Sequence, residues 1–138
     1  MTTYDLIHYG ADKYDKDKFM PISNRKWVKP KGGLWTSPVT SERGWSDWSQ
    51  EAQWGDLSES FTLKFSGSVL KIDCYDDISK LPWLNDNIIN FDDVIDDAIH
   101  LTVKGEEETR FSHPKSLYGW DCETVLILNP DCITTYRY

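Results

Sequence analysis

The apolar residues of this chain fall in short runs, and none is long or periodic enough to make a full crossover helix. That feature constrains the fold most. A doubly wound parallel sheet needs a connection of a dozen or more residues, usually a helix, between successive strands. Here strand-like stretches follow one another through turns and short polar segments. Tyr4–Tyr9 reads as a strand with Leu6 and Ile7 buried. "GLWTSP" (33–38) is a short extended piece stopped by Pro38. Phe61, Leu63 and Phe65 alternate as strand residues do, and "SVLKID" continues as a second strand after a Ser-Gly-Ser turn. "AIHLTV" and Thr124–Leu128 are further strands, and a turn at Asn129-Pro130-Asp131 leads to a closing strand.

Helical signals are few. Residues 41–54, "SERGWSDWSQEAQW", carry Trp45, Trp48 and Ala52 at near-helical spacing, with Ser46 as a cap and Gly55 as the stop. "YDDISKLPWL" predicts a short helix interrupted by Pro82, and Asp92 to Asp96 a helical turn. The charged stretch 104–116 reads as a mobile loop. Short strands mixed with short helices predict an α+β fold. The 138 residues suit a single domain spanning 1–138 and are few for two.

Charge is uneven. Residues 1–69 hold as many basic as acidic side chains, so the second half carries the whole net charge of −8. An acidic half argues against binding a nucleic-acid backbone, which needs positive charge. It suits solubility, mimicry of nucleic acid, or docking on a basic protein. Cys74, Cys122 and Cys132 are odd in number and lack CxxC spacing, so neither a disulfide framework nor a cysteine zinc site is expected. No apolar stretch approaches a membrane span and no basic-then-apolar leader is present. The expectation is a soluble, cytoplasmic protein with no membrane partner.

Three segments carry chemistry. The first strand ends in His8-Tyr9-Gly10 and is followed by a loop of more than twenty residues, dotted with Pro21, Pro30, Gly32 and Gly33. A loop that long in a small domain is usually functional. The second segment is Gly33-Leu34-Trp35-Thr36-Ser37, followed by the tryptophan-rich stretch. The third places Asp121 and Glu123 at the mouth of a late apolar strand. Two apart at strand spacing, these carboxylates point to one face. Seven Trp and seven Tyr exceed what a simple core needs, and tryptophan is favoured where a flat ligand or a partner is gripped. His100, flanked by apolar residues, reads as structural.

In this order the three segments resemble the ADP-ribosyltransferase fold, in the branch marked by a histidine, a tyrosine and a glutamate. His8 and Gly10 match its first strand. Gly33, Trp35, Thr36 and Ser37 match the Gly-aromatic-small pattern of its second. Where that branch has a stacking tyrosine, this chain has Trp45 and Trp48. The resemblance implies split, mostly antiparallel sheets with short flanking helices. It implies NAD as substrate, with ADP-ribose passed to a macromolecular acceptor, most simply a protein. Glu123 is then the catalytic carboxylate and Asp121 its competitor or companion.

Physical reasoning supports the same parts. Cleaving NAD between nicotinamide and ribose passes through a cationic sugar, which a carboxylate in a dry site stabilises. Aromatic rings at Tyr9, Trp35, Trp45 or Trp48 can stack on nicotinamide. Gly10 permits close approach of the backbone. His8 can bond the adenosine-side ribose, and Arg25 has the fork that matches a pyrophosphate. Such a protein fits a bacterial or bacteriophage setting, as an inhibitor of a host enzyme or defence system. The alternative is a non-enzymatic acidic binder that mimics nucleic acid and docks on a basic protein surface. No metal site is expected, since His8, His100 and His113 are far apart with no HExxH. The GxGxxG, phosphate-loop and GxSxG signatures are missing too.

Overall fold

The computed structural model describes residues 1–9, 14–22, 32–41, 44–45, 59–86, 88–117, 120 and 122–137. Seven of its strands form one sheet: β1 (Thr2–Tyr9), β2 (Leu34–Pro38), β3 (Ser60–Gly67), β4 (Val69–Ile72), β7 (Ala98–Leu101), β8 (Thr124–Ile127) and β9 (Ile133–Arg137). A small ribbon pairs β5 (Trp83–Asn85) with β6 (Ile88–Ile89). The large sheet runs β4-β7-β8-β2-β1-β3-β9. Its pairs are antiparallel except β4 with β7. Among the described residues helix is scarce: α1 (Val103–Thr109) and short 3-10 segments such as Tyr75–Lys80. The expected α+β class with a mostly antiparallel sheet is what the chain adopts. No helix of the described residues is long and apolar enough to cross a membrane.

Ser68 alone separates β3 from β4, yet β4 lies at one edge of the sheet and β3 lies next to the other. Consecutive Cα atoms are only about 3.8 Å apart, so the two margins meet at Ser68 and the sheet must curl. Its concave face encloses Leu6, Phe61, Leu63, Phe65, Ala98, Val125 and Ile127, drawn from strands on both sides of the curl. The opposite face of β7 and β8 contributes Ile99, Leu101 and Leu126 to a second core. That core also contains Ile72, Ile78, Leu117 and Trp120. Strand alternation explains the partition: on β8, Val125 and Ile127 point to one core and Leu126 to the other. Both faces of β7 and β8 are covered, so all eight of their residues are buried.

Two strands flank the Ser-Gly-Ser segment, as expected, and they do not pair with each other. β3 pairs with β1 and β9, whereas β4 pairs in parallel with β7. The segment carries the chain from one margin of the curled sheet to the other. The stretch expected as a loop from 104 begins instead as α1. Thr102 caps it, its hydroxyl accepting from the Gly105 amide at 3.0 Å. A side chain at Gly105 would overlap the Ile72 carbonyl, so glycine allows the helix to sit against β4. Thr102 had been assigned to the preceding strand, which hid its capping role. Of the helix expected over 41–54, only Ser41, Gly44 and Trp45 are among the described residues.

Candidate functional site

Even-numbered residues of β1 face the concave core: Leu6 is fully buried, with Tyr4 and His8 half-buried on either side. His8 sits opposite Phe61 on β3, their ring centroids 5.1 Å apart. Its Nδ1 bonds the Trp35 carbonyl at 2.8 Å. A carbonyl only accepts, so Nδ1 carries the hydrogen. Burial lowers the His8 pKa, and the carbonyl bond only partly opposes this. The ring is therefore neutral at neutral pH, and Nε2 is left as an acceptor.

Beyond His8 opens a pocket of about 390 Å³, toward the lower end of the roughly 300–1,000 Å³ usual for small-molecule sites. Phe61, Tyr14 and Phe19 give it aromatic walls, Trp35 borders it with its ring packed toward the second core, and Asp15 and Lys18 bring one charge of each sign. Gly32 and Gly33 form another wall, with φ of 86° and 70°. Any side chain at Gly32 would overlap the Pro21 carbonyl. The Gly33 amide donates to the Met20 carbonyl at 2.7 Å, tying the start of β2 to Met20. Trp35 is held by its indole N–H on the Gly32 carbonyl, 3.1 Å, and by edge-on contact with Trp45 and Trp120.

Of the residues expected to hold a ligand, the pocket gathers His8 and Trp35. Tyr9 ends β1 and does not line it. Thr36 and Ser37 are buried with their hydroxyls engaged. Thr36 Oγ1 donates to the Val125 carbonyl at 2.7 Å. Ser37 Oγ donates to the Glu123 carbonyl at 3.0 Å and accepts from the Trp45 amide at 2.9 Å. They tie β2 to β8 and to the chain at Trp45. Gly10, Arg25, Trp48 and Asp121 lie outside the described residues.

Glu123, just before β8, belongs to a second cluster. Its Oε2 accepts from His100 Nε2 at 2.8 Å, and His100 Nδ1 meets the Tyr4 hydroxyl at 2.7 Å. The Tyr4 and His100 rings lie edge to face, 5.0 Å between centroids. The Glu123 side chain is 13% exposed and that of His100 8%. Burial pushes the Glu123 pKa up, but hydrogen bonds from His100 and Ser41 and the charge of Lys71 outweigh it, so the carboxyl titrates below its ordinary value. Burial and the Glu123 charge together raise the pKa of Tyr4. An ionised carboxylate only accepts, so Nε2 of His100 carries hydrogen; in the neutral ring Nδ1 then accepts from Tyr4.

Both clusters face the concave side but stand apart. Continuing the β1–β2–β8 register puts Glu123 in the row of Leu6, two strands and one residue pair from His8. That is about 12 Å along the sheet, from strand spacing and rise. Leu6, Thr36 and Val125, all fully buried, lie between them, and Glu123 does not line the His8 pocket. Tyr4 was not picked out from sequence, and His100 was read as structural. A usable signal was present: His100 is a polar residue on the inward face of an apolar strand, and such a group needs a partner.

Among the described residues no group of three or more His, Cys, Asp or Glu is placed to hold a metal ion. Comparison with known proteins supplies no relative: no family model, no curated protein and no solved structure matches the chain.

Proposed function

We propose that the protein uses NAD as a substrate and transfers ADP-ribose to a macromolecule, most simply a protein. The observation that carries this reading is the pocket at the tip of β1, where residues far apart in sequence, His8 and Trp35, meet in an aromatic-walled hollow beside a lysine. The spacing of the two clusters sets the direction of the ligand. Glu123 can meet the reacting sugar only if the nicotinamide end lies toward it. The His8 pocket then takes the adenosine end, with His8 Nε2 accepting from a ribose hydroxyl and Lys18 near the phosphates. A dinucleotide, with two nucleosides joined through a pyrophosphate, matches that separation in length, and because Leu6, Thr36 and Val125 fill the face between the clusters this reading requires the ligand to reach Glu123 around them. In the reaction the bond from ribose C1′ to nicotinamide nitrogen breaks, and its electron pair leaves with nicotinamide. The acceptor nucleophile bonds C1′ and gives up its proton. Glu123, held ionised, stabilises the positive charge on the sugar.

Titration with NAD should quench tryptophan fluorescence saturably, and Trp35→Ala should weaken binding. Glu123→Gln should keep binding and lose nicotinamide release by roughly a hundredfold or more. A flat titration up to millimolar NAD, or release by the Glu123→Gln variant at the parent rate, overturns the reading.

A further inference from the structure

We propose that His100, backed by Tyr4, is a positioning residue for Glu123: it fixes the orientation of the carboxylate without itself touching substrate. The inference rests on reading Glu123 as the working carboxylate.

The three side chains come from distant parts of the chain. Tyr4 is on β1, His100 on β7 and Glu123 at the start of β8. Curling of the sheet brings Tyr4 across to His100, and both bonds are short, 2.7 and 2.8 Å. The concave face beside them holds Leu6, Phe65, Ala98 and Val125. Replacing a buried polar set with apolar side chains of similar volume is often neutral or stabilising, so stability alone gives weak reason for three linked polar groups here. The order of the chain suggests a use. Glu123 is the more exposed of the two and His100 stands behind it. His100 presents one donor to the carboxylate, while Tyr4 occupies the other ring nitrogen and so selects the tautomer that can donate. The other groups acting on Glu123 are the Ser41 hydroxyl, after β2, and Lys71 on β4. Neither has the ring that links Glu123 to β1.

The test uses His100→Phe, which keeps a ring and removes the donor, and His100→Gln, which retains an N–H to offer Glu123. Tyr4→Phe removes only the hydroxyl. Titration of the Glu123 carboxyl carbon by NMR reads the contact without any reaction. His100→Phe should raise the Glu123 titration point, because burial is then less opposed, and His100→Gln should restore it toward the parent. In the parent protein, ring-nitrogen shifts of His100 should report the Nε2–H tautomer with Nδ1 accepting, and Tyr4→Phe should abolish the accepted bond. With NAD, His100→Phe should lower kcat by roughly ten- to a hundredfold, the usual size for losing a supporting partner, with KM little changed. Its acid limb should move to higher pH. Identical Glu123 titration in the parent and His100→Phe overturns the proposal. If His100→Phe does not fold, a parent His100 in the Nδ1–H tautomer overturns it equally. If the parent protein turns over no NAD, the functional reading fails, while the two NMR measurements still decide whether His100 positions Glu123.

Discussion

Asp97 grips Ser68 at the one residue where the chain passes between the margins of the curled sheet. Asp97 Oδ2 accepts from the Ser68 amide at 2.9 Å and from its hydroxyl at 3.1 Å, and the Asp97 amide donates back to Ser68 Oγ at 3.0 Å. Asp97 Oδ1 accepts from Asn129 Nδ2 at 3.0 Å, so the same side chain also fixes the turn after β8. One carboxylate thus joins β3, β4, β7 and β8.

Asp97→Ala should therefore cost about 1 kcal/mol of stability, the net worth of hydrogen bonds whose partners water can reach, measured by denaturant unfolding. The bonds from Asn129 and Ser68 hold the Asp97 pKa below its ordinary value. A depressed carboxyl stabilises the fold above its unfolded pKa, near 3.9, and loses that contribution as pH falls through the lower folded value. The stability gap between the parent and Asp97→Asn should be constant from pH 5 to 7 on this account and shrink below about pH 4. A gap that widens on acidification contradicts the assignment.

His8 predicts a second pH dependence. Its folded pKa lies below the ordinary histidine value, chiefly through burial. The unfolded chain then binds the extra proton first, so this contribution to stability is complete above about pH 6.5 and is lost as pH falls through the folded pKa. Protonation also removes the Nε2 acceptor. NAD affinity should be flat between pH 7 and 8 and decline below about pH 6, and His8→Phe should bind more weakly and abolish the decline. An affinity that rises on acidification would show that a charged imidazole makes the contact.

Gly32→Ala should damage the pocket wall more than an exposed glycine substitution would. Its φ of 86° suits glycine, and a Cβ would overlap the Pro21 carbonyl. The loss should exceed the roughly 1 kcal/mol of an ordinary left-handed substitution, read from the thermal midpoint. An unchanged midpoint would mean that this loop is not seated as described.

Much of the fold was legible because strand alternation is a local property. Leu6-Ile7 within Tyr4–Tyr9, Phe61-Leu63-Phe65 and the run before Asn129 each declare a strand without reference to the rest of the chain. The tip of β1 and "GLWTSP" were expected near one another, and His8 and Trp35 do border one pocket. α1 was missed because its cap, Thr102, also continues the strand pattern of β7, and its seat depends on Ile72 rather than on helical periodicity.

The sequence by itself determined the class of fold, the positions of most strands and the placing of acidic charge in the second half, since each follows from neighbours along the chain. Only the tertiary structure decided the sheet order, the curl at Ser68, the burial of the Thr36 and Ser37 hydroxyls, and the meeting of Tyr4, His100 and Glu123. The reason is physical: pairing partners and hydrogen bonds between residues nearly a hundred positions apart leave no local periodicity. They follow from how the covered faces pack once the sheet has closed on its own core.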